Sequence, residues 1–423
     1  MFLGPLTSVR IDGLLGRPPI EVELEASGAT VLTGANGTGK STVLRALDAV
    51  ARGDWRRFSA LPLTELLLRF ALGDVVRVRR DSEGVLVVVG EYPPWRFTPS
   101  IEEAGYIVTS SDFAQVSWDF DEMDSRDIVM VDPGVRRRYQ KLIREAPTPE
   151  PEWLTRFVNA FTVLYVTDQR LVVQDRVVGK GHRTKDAEPV RTAVVAYADD
   201  LKERIRSALS EYGERSQALD KAFPNRVLAA MRRARQPSLR SAVQALSELE
   251  ARRSALERAG LISQDDPGPN LGSELREQEV AVIRTYAENA LQKYEVLEPL
   301  RAQVHAFTRF LNRRYDRKTL RIDRDTGYRI DAAGKANLGP ADLSSGEQQL
   351  LVLAYQIIFL ASENTLVLID EPELSLHVSW QSSLVDDLVT MGEASHLSFI
   401  LATHSPTLIG GRRRLRRSLD LAQ

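Results

Sequence analysis

The chain has 423 residues, of which 43% are hydrophobic and 27% charged, and its formal net charge is −2. This length leaves room for two or three domains, and the composition is ordinary for a soluble globular protein. The near-neutral charge argues against a uniformly basic nucleic-acid-binding protein. Because cysteine is absent, disulfides, thiol catalysis and cysteine-ligated metals are excluded. This composition fits a reducing cytoplasm.

No targeting or membrane segment is apparent. The first residues, MFLGPLTSVRIDG, lack the basic and then apolar segments of a signal peptide. The longest apolar run, at 350–360, contains Gln356 and predicts a buried helix rather than a membrane span. We therefore expect a cytoplasmic protein.

Short strands are predicted in the N-terminal part. Residues 7–12 and 20–25 alternate apolar and polar side chains around a Gly-Arg-Pro-Pro turn, which predicts a hairpin-like pair. Residues 65–70, 75–79 and 85–89 are three further runs joined by turn sequences. They predict an antiparallel meander.

Residues 34–41, GANGTGKS, match the phosphate-loop pattern G-x-x-x-x-G-K-[ST]. A β-prone run precedes them and a helical pattern follows. Glycines let the backbone bend around an anion, and the loop N–H groups then face the phosphates of ATP. Lys40 would pair with the β- and γ-phosphates, and Ser41 would reach Mg²⁺. The residues predicted to bind the nucleotide here are Gly34, Asn36, Gly37, Thr38, Gly39, Lys40, Ser41 and Thr42.

The middle of the chain changes character twice. Residues 161–167, FTVLYVT, predict a buried strand. From 191 to 320 the composition becomes helical and predicts three or four helices, followed by a hairpin at 320–330 and a loop to 340. Breaks between helices are expected near 223–225, 236–237 and 265–269, where proline occurs.

The C-terminal part carries three further motifs. LSSGEQQ (343–349) precedes an apolar helix, TLVLIDE (365–371) is a strand ending in two acids, and LSFIL (397–401) is a strand before Ala-Thr-His-Ser-Pro. Asp370 can hold Mg²⁺ through water, and Glu371 can polarise the water that attacks the γ-phosphate. His404 can contact the γ-phosphate. Such strand ends gather at one edge of an open α/β sheet.

The order of these motifs resembles the ABC-type ATPases, in the soluble SMC, RecF and OLD-like branch. The resemblance covers residues 1–50 and 335–410. It implies an α/β phosphate-loop NTPase fold: an ABC-type head with an antiparallel β subdomain and an inserted compact helical lobe. The expected division is 1–190 and 321–423 for the two halves of the head and 191–320 for the lobe.

The resemblance also assigns residues across a head-to-tail homodimer. In the family, the signature serine and glycine touch the γ-phosphate bound by the partner subunit, which here implies Ser344 and Gly346. Ser345 and Glu347 stand where transporters often have glycine and glutamine. The family glutamine that contacts Mg²⁺ would be Gln169, with Gln115 as the alternative.

The compact insert, DEPELSLH and ATHSP most resemble ATPases of bacterial anti-phage systems, such as PtuA of Septu and retron systems or AriA of PARIS. Those proteins act with a separate nuclease or toxin effector. OLD nucleases continue after the histidine motif into a TOPRIM domain, for which the residues after His404 leave no room, so this chain alone is not expected to be a nuclease. The alternatives are a RecF-like DNA-repair clamp and an ATP-stabilised scaffold with little turnover.

Three basic clusters leave DNA binding open. They lie at 232–235, at 309–324 and at 412–417. Each could hold DNA phosphates or an acidic partner, or could be a solvated face balanced by nearby acids.

Overall fold

The computed structural model describes residues 3–25, 28–98, 149–173, 191–232, 238–263, 277–332, 335–339 and 342–420. The chain forms two compact units. The first comprises Met1–Asp168, Ala361–Leu374 and Gln381–Gln423, and the second comprises Gln169–Leu360 and Ser375–Trp380. The division into parts at 190 and 320 remains a proposal.

The elements follow one another in this order: β1 (Leu6–Asp12), β2 (Ile20–Glu23), β3 (Gly28–Thr33), α1 (Lys40–Ala51), α2 (Trp55–Ser59), β4 (Glu65–Phe70), β5 (Val75–Asp81), β6 (Gly84–Val89), β7 (Trp95–Phe97), α3 (Glu152–Ala160), β8 (Val163–Val166), β9 (Val172–Val173), β10 (Arg191–Thr192), α4 (Ala193–Met231), α5 (Leu239–Arg258), α6 (Glu277–Tyr294), α7 (Glu298–Asn312), β11 (Lys318–Asp323), β12 (Gly327–Ala332), β13 (Lys335–Leu338), α8 (Ser345–Tyr355) with a π-turn (Gln356–Leu360), β14 (Leu366–Asp370), α9 (Val378–Gly392), β15 (Ser398–Ala402), α10 (Pro406–Ile409) and β16 (Arg416–Ser418). Within these described residues, no helix combines the length and apolar character that a bilayer span requires.

An antiparallel sheet in the first unit has the strand order β2-β1-β4-β5-β6-β7. Its strands alternate as the sequence predicts: Val76 and Val78 of β5 are buried, whereas Arg77 and Arg79 are exposed. One face therefore packs on the core and the other meets water. Both the N-terminal pair and the meander are confirmed.

A parallel sheet in the same unit has the order β16-β3-β15-β14-β8. Asp370 pairs with Ala402, and Ala402 pairs with Leu32, so three central strands end at the same level. The segments that follow them leave one edge of the sheet together, as the sequence predicts. Leu44 of α1, Phe58 and Leu66 belong to the buried cluster that joins this sheet to the antiparallel one.

The strand predicted at 161–167 is present as β8 but is not fully buried. It is an edge strand of the parallel sheet among the described residues, and Val166 is its one buried residue. The β-branched run therefore predicted the strand correctly but its burial wrongly. A strand is fully buried only when other elements cover it on all sides, and the position of a strand in the sheet is set by the topology rather than by its own composition.

The second unit contains the helices α4 to α7 and a sheet of β11, β12 and β13. The long α4 lies along α6: Arg226 donates to Asn289 and to Gln292, and Lys293 pairs with Asp220. The hairpin predicted at 320–330 is confirmed, but the loop expected after it contains β13.

The helix break predicted at 223–225 is wrong, because α4 continues through Pro224. Proline removes one helical hydrogen bond and crowds the preceding turn. Pro224 is exposed, so water can serve the freed carbonyl and the helix is not forced to end. The breaks predicted at 236–237 and 265–269 lie outside the described residues.

Candidate nucleotide-binding site

The phosphate loop connects β3 to α1 at the carboxyl edge of the parallel sheet. Gly39 is the N-cap of α1, with a φ of 96° that favours glycine. A Cβ there would lie 2.8 Å from Leu14 Cδ2, so the close packing of Leu14 also requires glycine. The N-terminus of α1 has no side-chain cap among the described residues. Its first N–H groups are therefore available to an anion.

Lys40 lies across the loop and is only 6% exposed. Its ammonium group donates to the carbonyl oxygens of Gly34 and Ala35, at 2.9 and 3.1 Å. Burial lowers the pKa of Lys40, and the carboxylates of Asp370 and Glu371 oppose that shift. The amine is thus a buried cation at the mouth of the loop, suited to a polyanionic phosphate chain.

Ser41, Asp370 and Tyr165 form a connected group. The Ser41 hydroxyl donates to Asp370 Oδ1 at 3.0 Å, and the Tyr165 hydroxyl donates to Asp370 Oδ2 at 3.2 Å. Burial raises the pKa of Asp370, although both hydrogen bonds oppose the shift. A hydroxyl and a carboxylate held together supply the hard oxygen donors that Mg²⁺ prefers, so this pair fits the ion.

Glu371 follows β14 directly and has a φ of 45°, unusual for a residue with a Cβ. Its N–H donates to the carbonyl of Ala402 at 2.9 Å, which continues the pairing of β14 with β15 by one residue. The backbone of Glu371 is therefore fixed by the sheet, independently of its carboxylate. Backbone strain of this kind often occurs at functional positions.

His404 lies in the segment after β15, and its side chain is exposed. Its Nδ1 is 3.5 Å from Lys40 Nζ. Since the ammonium can only donate, this contact requires an unprotonated Nδ1. The predicted residues Lys40, Ser41, Asp370, Glu371 and His404 thus meet at one edge of the sheet.

The remaining loop residues differ in exposure. Asn36 and Gly37 are exposed at the tip of the loop, whereas Thr38 is buried and Thr42 lies partly buried in the first turn of α1. A Cβ on Gly34 would come within 2.8 Å of Thr38 Oγ1, so this glycine permits a close approach within the loop. Their contacts with a nucleotide remain predictions.

The signature residues lie in the second unit. Ser344 is the N-cap of α8 and forms a capping box with Glu347. Glu347 Oε2 also lies 2.8 Å from Ser344 Oγ and 2.8 Å from Lys318 Nζ. Burial opposes ionisation of Glu347, but the hydrogen bonds from Lys318 and Ser344 outweigh it and lower its pKa. The serine hydroxyl is therefore held in one orientation.

Packing also requires a glycine at position 346, in addition to the role that the resemblance implies for Gly346. A Cβ at this position would lie 2.6 Å from the carbonyl oxygen of Ser375, which itself has a φ of 61°. Glycine therefore allows α8 to approach the segment after Leu374. A contact of Gly346 with phosphate stays a prediction.

The glutamine that contacts Mg²⁺ also stays a prediction. Gln169 is exposed and belongs to the second unit, three residues after the end of β8. Gln115, the alternative, lies outside the described residues.

The C-terminal strand was missed by sequence reasoning. β16 pairs in parallel with β3, and Asp420 just beyond it accepts a hydrogen bond at 3.1 Å from the Ala35 N–H of the phosphate loop. Burial lowers the pKa of Lys40, and the charge of Asp420 is among those that oppose this shift. Leu419 is the one apolar residue of 416–420 and is buried, so no alternating pattern marked this strand in the sequence.

The basic tail is largely used within the first unit. Arg412 forms a salt bridge with Asp386, Arg416 donates to the Thr33 hydroxyl, and Arg417 donates to the Glu23 carbonyl. These contacts weaken the interpretation of 412–417 as a free DNA-binding segment.

Of the two other basic clusters, 309–324 is partly used in ion pairs. Lys318 pairs with Glu347 and Arg321 pairs with Asp331 in the second unit, while most of 232–235 lies outside the described residues. DNA binding by 309–324 stays a prediction.

For the Mg²⁺-dependent ATPase that the motifs imply, we predict that the Tyr165 hydroxyl affects the Mg²⁺ requirement. Tyr165→Phe removes the donor to Asp370 Oδ2 and retains the ring. The Mg²⁺ concentration for half-maximal ATPase activity should therefore rise about tenfold, the usual effect of losing a partner of a metal-holding group. Mg²⁺ titrations of ATPase activity measure this, with Tyr92→Phe as the control, since Tyr92 is exposed and stacks on Trp153. Identical titrations for wild type and Tyr165→Phe would contradict it.

The parallel sheet, the loop between β3 and α1, and the acidic end of β14 together define a phosphate-loop NTPase domain. Residues 109–410 match the family model described as "AAA domain, putative AbiEii toxin, Type IV TA system". The chain belongs to this family, since the match spans well over half of it. The match includes Asp370, Glu371 and His404 and begins after the phosphate loop. No curated protein matches the chain.

Several solved SMC head domains are similar in structure. The head domain from Pyrococcus furiosus, bound to the C-terminal domain of ScpA, has 14% identity and a TM-score of 0.40, and the match covers 96% of this chain and 91% of that one. A head bound to the ScpA winged-helix domain has 13% identity and a TM-score of 0.42, with coverages of 96% and 91%. The Thermotoga maritima head has 12% identity and a TM-score of 0.37, with the same coverages. TM-scores this low support no functional conclusion.

Proposed function

We propose that the chain binds and hydrolyses Mg-ATP, dimerises head to tail, and regulates a separate nuclease or toxin effector in anti-phage defence. One observation carries the ATPase part. Lys40 Nζ lies 3.5 Å from His404 Nδ1, and Ser41 donates to Asp370, although His404 and Asp370 lie more than 300 residues further along the sequence. Membership of an AAA-domain family supports the same activity.

Each side chain has a place in the reaction. Lys40 pairs with the β- and γ-phosphates, while Ser41 and Asp370 hold Mg²⁺, which neutralises phosphate charge when bound. Glu371 accepts the proton of the attacking water and His404 contacts the γ-phosphate. Gln169 is our choice for a further Mg²⁺ contact.

A second subunit completes each site in this proposal. Ser344 of one subunit contacts the γ-phosphate held by Lys40 of the other. ATP then closes the dimer, and hydrolysis opens it. The capping box supports this role by fixing Ser344 at the N-terminus of α8, where backbone N–H groups can face an anion. To donate to the phosphate, the Ser344 hydroxyl exchanges its hydrogen bond to Glu347 for one to the phosphate.

Mixing two inactive variants tests the composite site. Lys40→Ala disables the phosphate loop, and Ser344→Asp retains an N-cap residue but places a negative charge against the γ-phosphate. Each variant alone should be inactive. Mixed dimers contain one site with an intact Lys40 and an intact Ser344, so the mixture should recover phosphate release. An inactive mixture of folded subunits would overturn the head-to-tail arrangement, and an inactive wild type would overturn the ATPase.

The defence role rests on the motif resemblance, and the words "putative AbiEii toxin, Type IV TA system" in the family description agree with it. Tagged Glu371→Gln protein, recovered from its host with ATP, should carry a nuclease or toxin subunit. Native mass spectrometry then gives the composition of the complex, which should contain an even number of copies of this chain.

Other compositions favour the alternatives. A bare dimer that recovers DNA, with an affinity that falls steeply with salt, would favour a RecF-like clamp. Wild-type protein that binds ATP without measurable hydrolysis would favour a scaffold.

A further inference from the structure

We propose that Glu373 is a positioning residue that holds His404 in place and joins the His404 segment to the Glu371 segment. This inference rests on the proposed function, because His404 acts on a γ-phosphate only in that setting. Glu373 lies two residues after Glu371, in the turn that follows β14.

One carboxylate oxygen of Glu373 accepts several hydrogen bonds from the segment after β15. The Thr403 hydroxyl donates to Oε1, as do the backbone N–H groups of His404 and Ser405, each at 3.0 Å. Hydrogen bonds to a carboxylate are stronger than those between neutral groups. Glu373 therefore binds three consecutive residues of the His404 segment.

Thr403 provides the fixed end of this arrangement. It is fully buried, and its N–H donates to the Leu32 carbonyl of β3 at 3.1 Å. Its hydroxyl accepts from the Ser405 N–H at 2.9 Å while donating to Glu373. The segment thus turns around the Glu373 carboxylate directly after leaving the sheet.

His404 depends on this anchor because its own side chain is little constrained. The ring is exposed, and its polar contact among the described residues is Lys40 Nζ, at 3.5 Å. The place of the ring is therefore set by its backbone, whose N–H is bound to Glu373.

The segments after β14 and β15 are linked at two points. The Glu371 N–H donates to the Ala402 carbonyl, and Glu373 accepts from Thr403, His404 and Ser405. A turn closed by the Leu374 N–H and the Glu371 carbonyl, at 3.0 Å, holds Glu371 and Glu373 together. A shift of His404 on loss of the γ-phosphate would therefore also displace Glu371.

Two variants separate the hydrogen bonds from the charge. Glu373→Gln retains a side-chain carbonyl that can accept from all three donors, whereas Glu373→Ala retains none. The other carboxylate oxygen, Oε2, is buried and has no hydrogen-bond partner among the described residues. The amide of Glu373→Gln therefore displaces no existing contact.

Hydrogen exchange tests the anchor without ATP. Glu373→Ala should reduce the protection of the His404 and Ser405 amides about tenfold or more, and Glu373→Gln should stay within about threefold of wild type, as expected for losing or keeping bonds to a carbonyl acceptor. Unchanged protection in Glu373→Ala overturns the proposal. Lost protection in a chain without ATPase activity would overturn the proposed function alone and still support the anchor.

A double-mutant cycle tests the route through His404. Glu373→Ala should lower kcat about 10-fold to 100-fold with little change in KM, because a displaced group loses transition-state contacts. His404→Ala should lower kcat similarly, and the double variant should lose no more than His404→Ala alone. If the kcat of the double variant instead falls by the product of the two single losses, Glu373 does not act through His404. A Glu373→Gln variant as inactive as Glu373→Ala would show that its charge, not its positioning, matters.

Discussion

Lys40→Ala is expected to abolish measurable ATP binding. The Lys40 ammonium is buried and bridges two loop carbonyls. Burial lowers its pKa, and the nearby carboxylates of Asp370, Glu371, Glu373 and Asp420 oppose that shift. Without the Lys40 ammonium these acids would repel the phosphates of ATP more strongly. Truncating one partner of a buried charge pair across a binding interface costs about 2–5 kcal/mol, so the Kd should rise at least about 30-fold.

Isothermal titration calorimetry with Mg-ATP measures this affinity. Lys202→Ala is the matched control, because Lys202 is an exposed lysine of α4 and the same atoms are removed. Thermal unfolding without nucleotide shows whether Lys40→Ala is folded. A folded Lys40→Ala variant whose Kd for Mg-ATP stays within about threefold of the wild-type value would refute the role of Lys40. A tenfold change in Kd corresponds to about 1.4 kcal/mol, so a threefold change is a small effect.

The parts of the site carried by local patterns could be predicted from the sequence. The pattern around Lys40 indicates a strand, a glycine-rich turn and a helix, and the structure has β3, the loop and α1 there. The apolar runs before Asp370 and His404 are likewise the parallel strands β14 and β15. Because strands of a parallel sheet end at one edge, the meeting of these residues followed from their order.

Contacts between distant residues could not be predicted in this way. Tyr165 reaches Asp370 only because β8 pairs with β14, and a tyrosine in an apolar run looks the same in any buried strand. Asp420 reaches Ala35 only because β16 pairs with β3. Strand partners are chosen by global topology, which no local period reveals.

Some local rules were overruled by exposure and packing. Pro224 does not end α4, because its position on the exposed face leaves the freed carbonyl in water. Gly346 was assigned to phosphate contact, whereas the structure gives it a packing reason, the nearby carbonyl of Ser375. A motif residue can therefore satisfy a structural need and a proposed chemical one together.

Glu371→Gln is expected to lower kcat about 1,000-fold while ATP binding persists. General bases contribute about 10²–10⁴ in rate, and glutamine cannot accept the proton of the attacking water. The substitution should leave the fold intact, because the Glu371 backbone is fixed by its N–H bond to Ala402 and glutamine has the same shape. The closed, ATP-bound dimer should consequently accumulate.

Glu363→Gln is the matched control for this variant. Glu363 is exposed and precedes β14, whereas Glu371 follows it, so the two acids flank opposite ends of one strand. Single-turnover phosphate release and ATP affinity, measured on both variants, separate chemistry from binding. Glu363→Gln should match wild type in both. Amide substitution removes proton acceptance and little else. A Glu371→Gln protein that hydrolyses ATP within about tenfold of wild type would therefore move the general base to another acid near the phosphate loop, with Asp168 the next to substitute.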